Sequence, residues 1–168
     1  MTNAQLAGGW EPGVIHGLIV RPTTSGRIPL RGDTPINLRL IHLYEVVDGE
    51  QGWSVHTVGY TDQFALTDGA EIVIYHYDPR PGSLVTRPHL HVRGLQQPLP
   101  LGKAHFPTGR VSIEETLRFA MRELGVQPLK ADWVAILDNT EESLQHEADV
   151  VDHRERVPSY PWEWPAVG

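Results

Sequence analysis

The chain contains no cysteine, so it has no disulfide framework and no thiolate to act as nucleophile or metal ligand. No apolar run approaches the roughly 18 residues that a membrane-spanning helix needs. The first residues also lack the basic segment and apolar run that mark a signal peptide. We therefore expect a protein of the reducing cytoplasm with no membrane partner.

The chain has fewer basic than acidic residues, with 14 Lys and Arg and 21 Asp and Glu, so its net charge is −7. By itself, this acidic balance argues against nucleic acid as a partner. The imbalance lies in residues 111–168, which hold five basic and twelve acidic residues, whereas residues 1–110 hold nine of each. The first part can still present a local basic face. The acidic last third is either solvated surface or a site for a basic partner.

Alternating apolar residues predict a series of β-strands in a chain of 168 residues, a length that suits one main domain. The predicted strands are Val14–Val20 (at an edge), Ile36–Val47, Trp53–Leu66, Glu71–Tyr77 and Arg87–Arg93. Short connections such as Thr67-Asp68-Gly69 predict an antiparallel meander. Gly59 interrupts the alternation of its strand and predicts a bulge.

A helix follows a Pro-rich loop at residues 96–109. Ser112 and Glu115 form a capping-box pattern, an apolar stripe runs from Ile113 to Leu124, and Gly125 ends the pattern. We predict a further short strand at Trp133–Leu137.

The end of the chain is predicted to be a second, acidic helix capped by Thr140 and running to about residue 151, and then a Trp- and Pro-rich tail. The expected fold is therefore α+β, with an antiparallel sheet of about five strands and the first helix packed on one face. The expected divisions are a flexible N-terminus (1–12), an α+β domain (13–137) and an acidic helix with tail (138–168).

The segment Arg87–Arg93 carries the most distinctive pattern of the chain. Because side chains of a strand alternate between faces, Leu90 and Val92 would point to a core. Arg87, His89, His91 and Arg93 would then form a row on the other face, with two permanent positive charges around two imidazoles that titrate near neutral pH. This row indicates a site for a phosphate or another oxyanion.

The preceding predicted strand adds Tyr75, His76 and Tyr77. Antiparallel pairing can place His76 beside His89, although a slip of one residue would turn His76 to the opposite face. His105, in the Pro-rich loop, can fold back over the same surface. The other histidines show no partner pattern and are interpreted as structural: His16, His42, His56, His146 and His153.

Two chemistries use such a set of side chains. In the first, the histidines bind a metal, with two ligands from His89-Leu90-His91 and a third from another histidine. Arg87 and Arg93 oppose this, because each repels a dication by several kcal/mol at about 5 Å and an effective dielectric constant near 20.

In the second chemistry, Arg87 and Arg93 grip phosphate oxygens while imidazoles transfer protons. Tyr75 or Tyr77 would stack on a base or donate a proton. The sequence favours this second chemistry, which needs no metal and no other cofactor. A third interpretation makes His89 and His91 ordinary outward residues of an exposed strand.

The order of these motifs resembles the TumE-like toxins of bacterial toxin–antitoxin pairs over about residues 36–125. The matching segments are Tyr75-His76-Tyr77, Pro88-His89-Leu90-His91-Val92 and Ser112-Ile113-Glu114-Glu115. Leu90 stands where the family-like triplet has its second histidine, and residues 130–168 extend beyond the match. The resemblance implies a growth-inhibiting protein, an antitoxin partner with a helix-turn-helix DNA-binding domain, and RNA-directed chemistry.

The leading hypothesis is therefore a toxin-like, metal-independent ribonuclease. His89 and His91 would transfer protons with help from His76, and a second set of side chains would contact RNA: Arg87, Arg93, Tyr75, Tyr77 and His105. One alternative is a non-catalytic protein that binds a partner through its acidic last third and Trp tail. Another is a hydrolase with a histidine-bound metal. The sequence leaves the oligomeric state open.

Overall fold

A computed structural model describes residues 5–21, 26–49, 52–93 and 104–145. Within them lie eight strands and two helices, in the following order: β1 (Gln5–Ala7), β2 (Ile15–Arg21), β3 (Ile28–Pro29), β4 (Ile36–Gly49), β5 (Gly52–Leu66), β6 (Glu71–Tyr77), β7 (His89–Val92), β8 (Phe106–Pro107), α1 (Ile113–Glu123) and α2 (Trp133–Gln145). The strands form one sheet in the order β1-β2-β4-β5-β6-β7-β8, with β3 also paired to β4. Every named pair of strands is antiparallel.

This architecture confirms the α+β class and the antiparallel meander. The sheet is larger than the predicted five strands because β1, β3 and β8 add to it. These strands have only two or three residues each, too few for an alternating pattern to stand out in the sequence. β1 falls in segment 1–12, which was predicted to be flexible, and it covers β2, which was predicted to be an edge strand.

The long β4–β5 pair contains the bulge that Gly59 predicted. Leu43 pairs with Gly59 whereas Tyr44 pairs with Thr57, so Val58 is the extra residue on β5. The next hairpin turns at Gly69, whose φ of 95° is a left-handed conformation that glycine adopts without strain. The turn prediction at residues 67–69 is therefore confirmed.

Helix α1 packs on one face of the sheet, which we call the helix face. Its N-terminus has the predicted capping box: the Ser112 hydroxyl accepts from the Glu115 amide, and the Glu115 carboxylate accepts from the Ser112 amide. The ring of Phe119 contacts the rings of Phe64 and Tyr75. The core on this face consists of buried aliphatic and aromatic residues, namely Ile28, Ile36, Leu38, Leu40, Phe64, Val73 and Ala120.

A buried polar network on the helix face joins α1 to two strands. Asp62 of β5 is fully buried, and His42 of β4 donates from Nε2 to its carboxylate at 2.9 Å. The Thr116 hydroxyl of α1 donates to the same carboxylate at 2.7 Å. His42 thus has a structural role, as predicted, but through a partner that its sequence neighbours did not indicate. Asp62 lies twenty residues away and reaches His42 only because β4 and β5 pair.

Residues Trp133–Leu137 were predicted to form a strand, and this prediction is wrong, because they begin α2. A short apolar run does not distinguish a strand from the buried side of a helix. Here the helical spacing places Asp138 and Glu141 against Arg118 of α1, at 2.6 and 2.7 Å. Thr140 is not a helix cap; its hydroxyl donates to the carbonyls of the preceding turn.

Part of the predicted C-terminal segment lies outside the described residues. This includes the acidic helix beyond residue 145 and the tail with Trp162 and Trp164.

In the described part, neither helix has the length and apolar character to cross a membrane.

We predict that Thr116→Val lowers the free energy of unfolding by about 1.5–3 kcal/mol, because it removes a hydrogen bond to a buried charged group. Urea denaturation followed by circular dichroism measures this change. Thr116→Ser keeps the hydroxyl, so it should retain most of the stability that Thr116→Val loses. Equal stability of the Val variant and the parent would mean that Asp62 does not depend on Thr116.

Candidate functional site

The register of β6 and β7 brings three histidines together on the sheet face opposite α1, which we call the histidine face. His76 pairs directly with His89, which is one of the registers that the sequence left open. Their ring centroids lie 5.1 Å apart, and the ring of His91, two residues along β7, lies 4.8 Å from that of His89 and 6.2 Å from that of His76. The imidazoles therefore contact one another on a single side of the ribbon.

His105 joins these three from the residue before β8. Its ring centroid lies 5.0 Å from that of His89 and 4.6 Å from that of His91. The chain thus folds back over the cluster at this residue, an arrangement that the sequence allowed. We call the set His76, His89, His91 and His105 the histidine cluster. His89 is buried and His105 is exposed, so the cluster reaches from the sheet to solvent.

Hydrogen bonds determine how the His89 ring is oriented. Its Nδ1 lies 2.7 Å from the Arg87 carbonyl, which can only accept, so Nδ1 carries the proton. In the neutral ring, Nε2 then carries a lone pair, which accepts a hydrogen bond from Nε2 of His91 at 3.0 Å. A backbone acceptor on one nitrogen and a lone pair on the other is the arrangement that metal-binding histidines commonly have.

The three sheet histidines form a group that could hold a metal ion, and the His89–His91 pair has the separation of two ligands of one ion. Each offers a ring nitrogen, and these nitrogens lie within 4.8 Å of one another. Two ligands about 2.0–2.1 Å from an ion, at angles of 90–109°, are separated by about 2.8–3.4 Å. The observed 3.0 Å between the Nε2 atoms of His89 and His91 falls in this range. Nδ1 of His91 is buried and, among the described residues, has no hydrogen-bond partner.

The same burial keeps these imidazoles neutral. Burial, followed by the positive charges of His89, His105 and Arg93, lowers the pKa of His91 to about 4. Burial and then the charge of His89 lower the pKa of His76, and burial lowers that of His89 although its bond to the Arg87 carbonyl raises it. At neutral pH the three rings are therefore uncharged, which favours metal ligation over proton donation.

The two arginines of the predicted row, Arg87 and Arg93, differ in what surrounds their charges. Nε of Arg93 lies 3.4 Å from the Glu71 carboxylate, so a negative charge accompanies this guanidinium. Arg87 has an exposed side chain, and its carbonyl contacts the cluster. The repulsion that argued against a metal is therefore weakened, since Arg93 is paired and Arg87 is solvated.

Tyr75 and Tyr77 do not join the histidine cluster. Both point to the helix face, where Tyr75 contacts Phe119 and Tyr77 contacts Tyr60. The reason is the alternation of side chains along β6, which places His76 on one face and its two neighbours on the other. The expectation that these tyrosines stack on a substrate at the histidine site is thus not supported by their position.

Sequence reasoning missed two polar residues near the cluster. Glu71 accepts from the Gln63 amide as well as pairing with Arg93. Thr61 pairs with His76 across β5 and β6, and its buried hydroxyl has no hydrogen-bond partner in the described part of the chain. The pairing of β5 with β6, which the sequence did predict, was the signal that could have found Thr61.

We predict that the metal-free protein loses stability as the pH falls from about 6.5 towards 4. His91 has a lower pKa in the folded chain than in the unfolded one, so the unfolded chain binds more protons in this window and gains stability relative to the fold. Urea midpoints across this range, in a chelating buffer, measure the effect. In His91→Gln the urea midpoint should change less with pH. The same slope of midpoint against pH in this variant and the parent would contradict the lowered pKa of His91.

No protein-family model, curated protein or solved structure matches this chain. The resemblance to the TumE-like toxins therefore stays a prediction from the sequence.

Proposed function

We propose that the protein is a metal-dependent hydrolase, in which His76, His89 and His91 bind a divalent transition-metal ion such as Zn²⁺. The observation that carries this proposal is the convergence of three neutral ring nitrogens within 4.8 Å on one face of the sheet. Imidazole is a good ligand for zinc and its neighbours in the first transition series. This choice departs from the metal-free chemistry that the sequence favoured.

Three protein ligands leave at least one coordination position for water, which is the composition of a catalytic zinc site rather than a structural one. When bound by these three histidines, the ion would lower the pKa of that water and supply hydroxide at neutral pH. His105 is exposed and contacts the rings of two ligands, so it is placed to carry a proton between the site and solvent. Its role in the proposal is to move this proton, not to bind the ion.

The proposed reaction is hydrolysis of a phosphate ester. In this reaction a water oxygen would attack phosphorus, the bond from phosphorus to the leaving oxygen would break, and the leaving oxygen would take up the proton that the water releases. Arg87, exposed at the rim, is available to a phosphate oxygen. RNA is the substrate that the toxin resemblance implies, and growth inhibition by RNA cleavage is the biological role proposed with it.

Metal-free cleavage of RNA is the second candidate, and one observation favours it. The 3.0 Å between the Nε2 atoms of His89 and His91 also suits a shared proton. Acid–base cleavage needs one imidazole as base and another in the protonated form. The lowered pKa values of His76, His89 and His91 make a protonated ring among them costly, which is why the metal-dependent reaction is preferred.

We predict that the protein, purified without a His tag and stripped of metal, binds one equivalent of Zn²⁺ per chain in isothermal titration calorimetry. His89→Ala and His91→Ala should each weaken binding by at least about 100-fold, because each removes a ligand. His16→Ala changes a histidine outside the cluster, where Nε2 bonds to the Glu11 carbonyl, and should bind as the parent does. Unchanged zinc affinity in both cluster variants would overturn the metal site.

We also predict that the zinc-loaded protein cleaves RNA, that treatment with a chelator abolishes cleavage, and that added Zn²⁺ restores it. Gel analysis of a labelled RNA measures this, with Tyr75→Phe on the helix face as a variant expected to keep full activity. Cleavage that survives chelation but disappears in His89→Ala would favour the metal-free reaction. Absence of cleavage in every form would refute a ribonuclease.

A further inference from the structure

A pair of arginines lies on the histidine face, at the far end of a row of side chains that begins at the cluster. Strand pairing aligns Arg39 of β4 with Gln63 of β5, Gln63 with Ile74 of β6, and Ile74 with His91 of β7. Residues paired in this way point to the same side of a sheet. With strands about 4.8 Å apart, the row spans about 14 Å between the backbones of Arg39 and His91.

Arg27 adds a second positive charge at the end of this row. Ile28 pairs with Leu38, so the antiparallel register carries Arg27, one residue earlier, to the position opposite Arg39. Both side chains are half-buried, and the charge of Arg27, after burial, lowers the pKa of Arg39. Like charges directly across a strand pair destabilise a sheet unless something neutralises them.

No carboxylate in the described part of the chain neutralises this pair. The five ion pairs there involve other cations, and neither Arg27 nor Arg39 donates a hydrogen bond to a described acceptor. Glu71 is near Gln63, but its two oxygens are engaged by the Gln63 amide and by Arg93. Within the described residues, two half-buried guanidinium groups therefore have no anion beside them, although the net charge of the protein is −7.

We infer that Arg27 and Arg39 form an anion subsite that binds a phosphate of the same RNA strand whose backbone is cleaved at the histidine cluster. This inference rests on the proposed function for its substrate, and it specifies that the substrate is a chain rather than a mononucleotide. A strand stacked at about 3.4 Å per phosphate covers the row with about four phosphates. Gln63 and Ile74, between the two ends of the row, are buried. The strand would therefore contact the histidine face at its two ends, the guanidinium groups at one and the cluster at the other, and not at these two residues.

The test uses a labelled eight-nucleotide RNA and the full chain in a chelating buffer, where metal-dependent hydrolysis is off. Fluorescence anisotropy at several salt concentrations gives the affinity and its salt dependence. We expect Arg39→Gln and Arg27→Gln each to weaken binding about three- to tenfold at low salt. Each should lower the slope of log affinity against log salt by about 0.7, the value for one phosphate of a single strand.

Arg122→Gln serves as the matched control. It removes an exposed arginine near the end of α1, which packs on the opposite face, and it should bind the RNA as the parent does. Loss of one member of a like-charged pair should leave the melting temperature at low salt equal to or above that of the parent, so weak binding cannot be assigned to unfolding. Wild-type affinity and slope in both Arg27→Gln and Arg39→Gln, or no binding of the octamer by the parent, would overturn the subsite.

Cleavage assays separate this inference from the proposed function. With zinc, Arg39→Gln should lower kcat/KM for the octamer but leave it unchanged for a dinucleotide, which cannot reach the arginine pair. If the parent cleaves both the octamer and the dinucleotide, and Arg39→Gln changes kcat/KM for neither, the anion subsite is refuted and the proposed hydrolase is supported. If the parent cleaves neither RNA, and the arginine variants still bind the octamer more weakly than the parent does, the proposed hydrolase is refuted and the anion subsite is supported.

Discussion

The pairing of β6 with β7 is the constraint on which the candidate site depends. In the observed register His76 faces His89, and the alternation of β7 adds His91 to the same side. A shift of one residue would carry His76 to the helix face and would bring the neighbouring tyrosines to the histidines. The side of the ribbon that each residue occupies is therefore decided by backbone hydrogen bonds rather than by attraction between imidazoles.

Strand β5 links the two faces of the sheet. Asp62 points to the helix face and accepts from His42 and Thr116, whereas its neighbour Thr61 pairs with His76 on the histidine face. A buried carboxylate is costly unless it is well bonded, so the Asp62 network restricts where α1 and β4 can sit against β5. The same restriction holds β5 as the support for β6, and through it the histidine cluster.

Charge is arranged locally on a protein that is acidic overall. At the cluster, Glu71 accompanies Arg93, so the histidines are not surrounded by unbalanced positive charge. At the other end of the histidine face, Arg27 and Arg39 have no described carboxylate and repel each other. Net charge therefore says little about which surface of this protein meets an anion, because the acidic excess lies in residues 111–168.

Much of the fold could be predicted from local patterns. The alternation at Ile36–Val47 and Glu71–Tyr77, the bulge at Gly59 and the capping box at Ser112 all depend on neighbours within a few residues, and the structure has each of them. The run Trp133–Leu137 was misassigned because a short apolar run suits a strand and a helix equally. Asp138 and Glu141, which follow the run in the same helix, pair with Arg118 of α1, and these long-range contacts favour the helix.

The sequence by itself determined that His89 and His91 share a face and that His76 lies on the adjoining strand, since both follow from the period of a β-strand and the shortness of the connection. Only the tertiary structure decided that His105 completes the cluster, that Glu71 pairs with Arg93, and that Tyr75 and Tyr77 lie on the other face. These outcomes depend on which residues meet across strands and loops. That choice is set by the register of the whole sheet, which no short segment specifies alone.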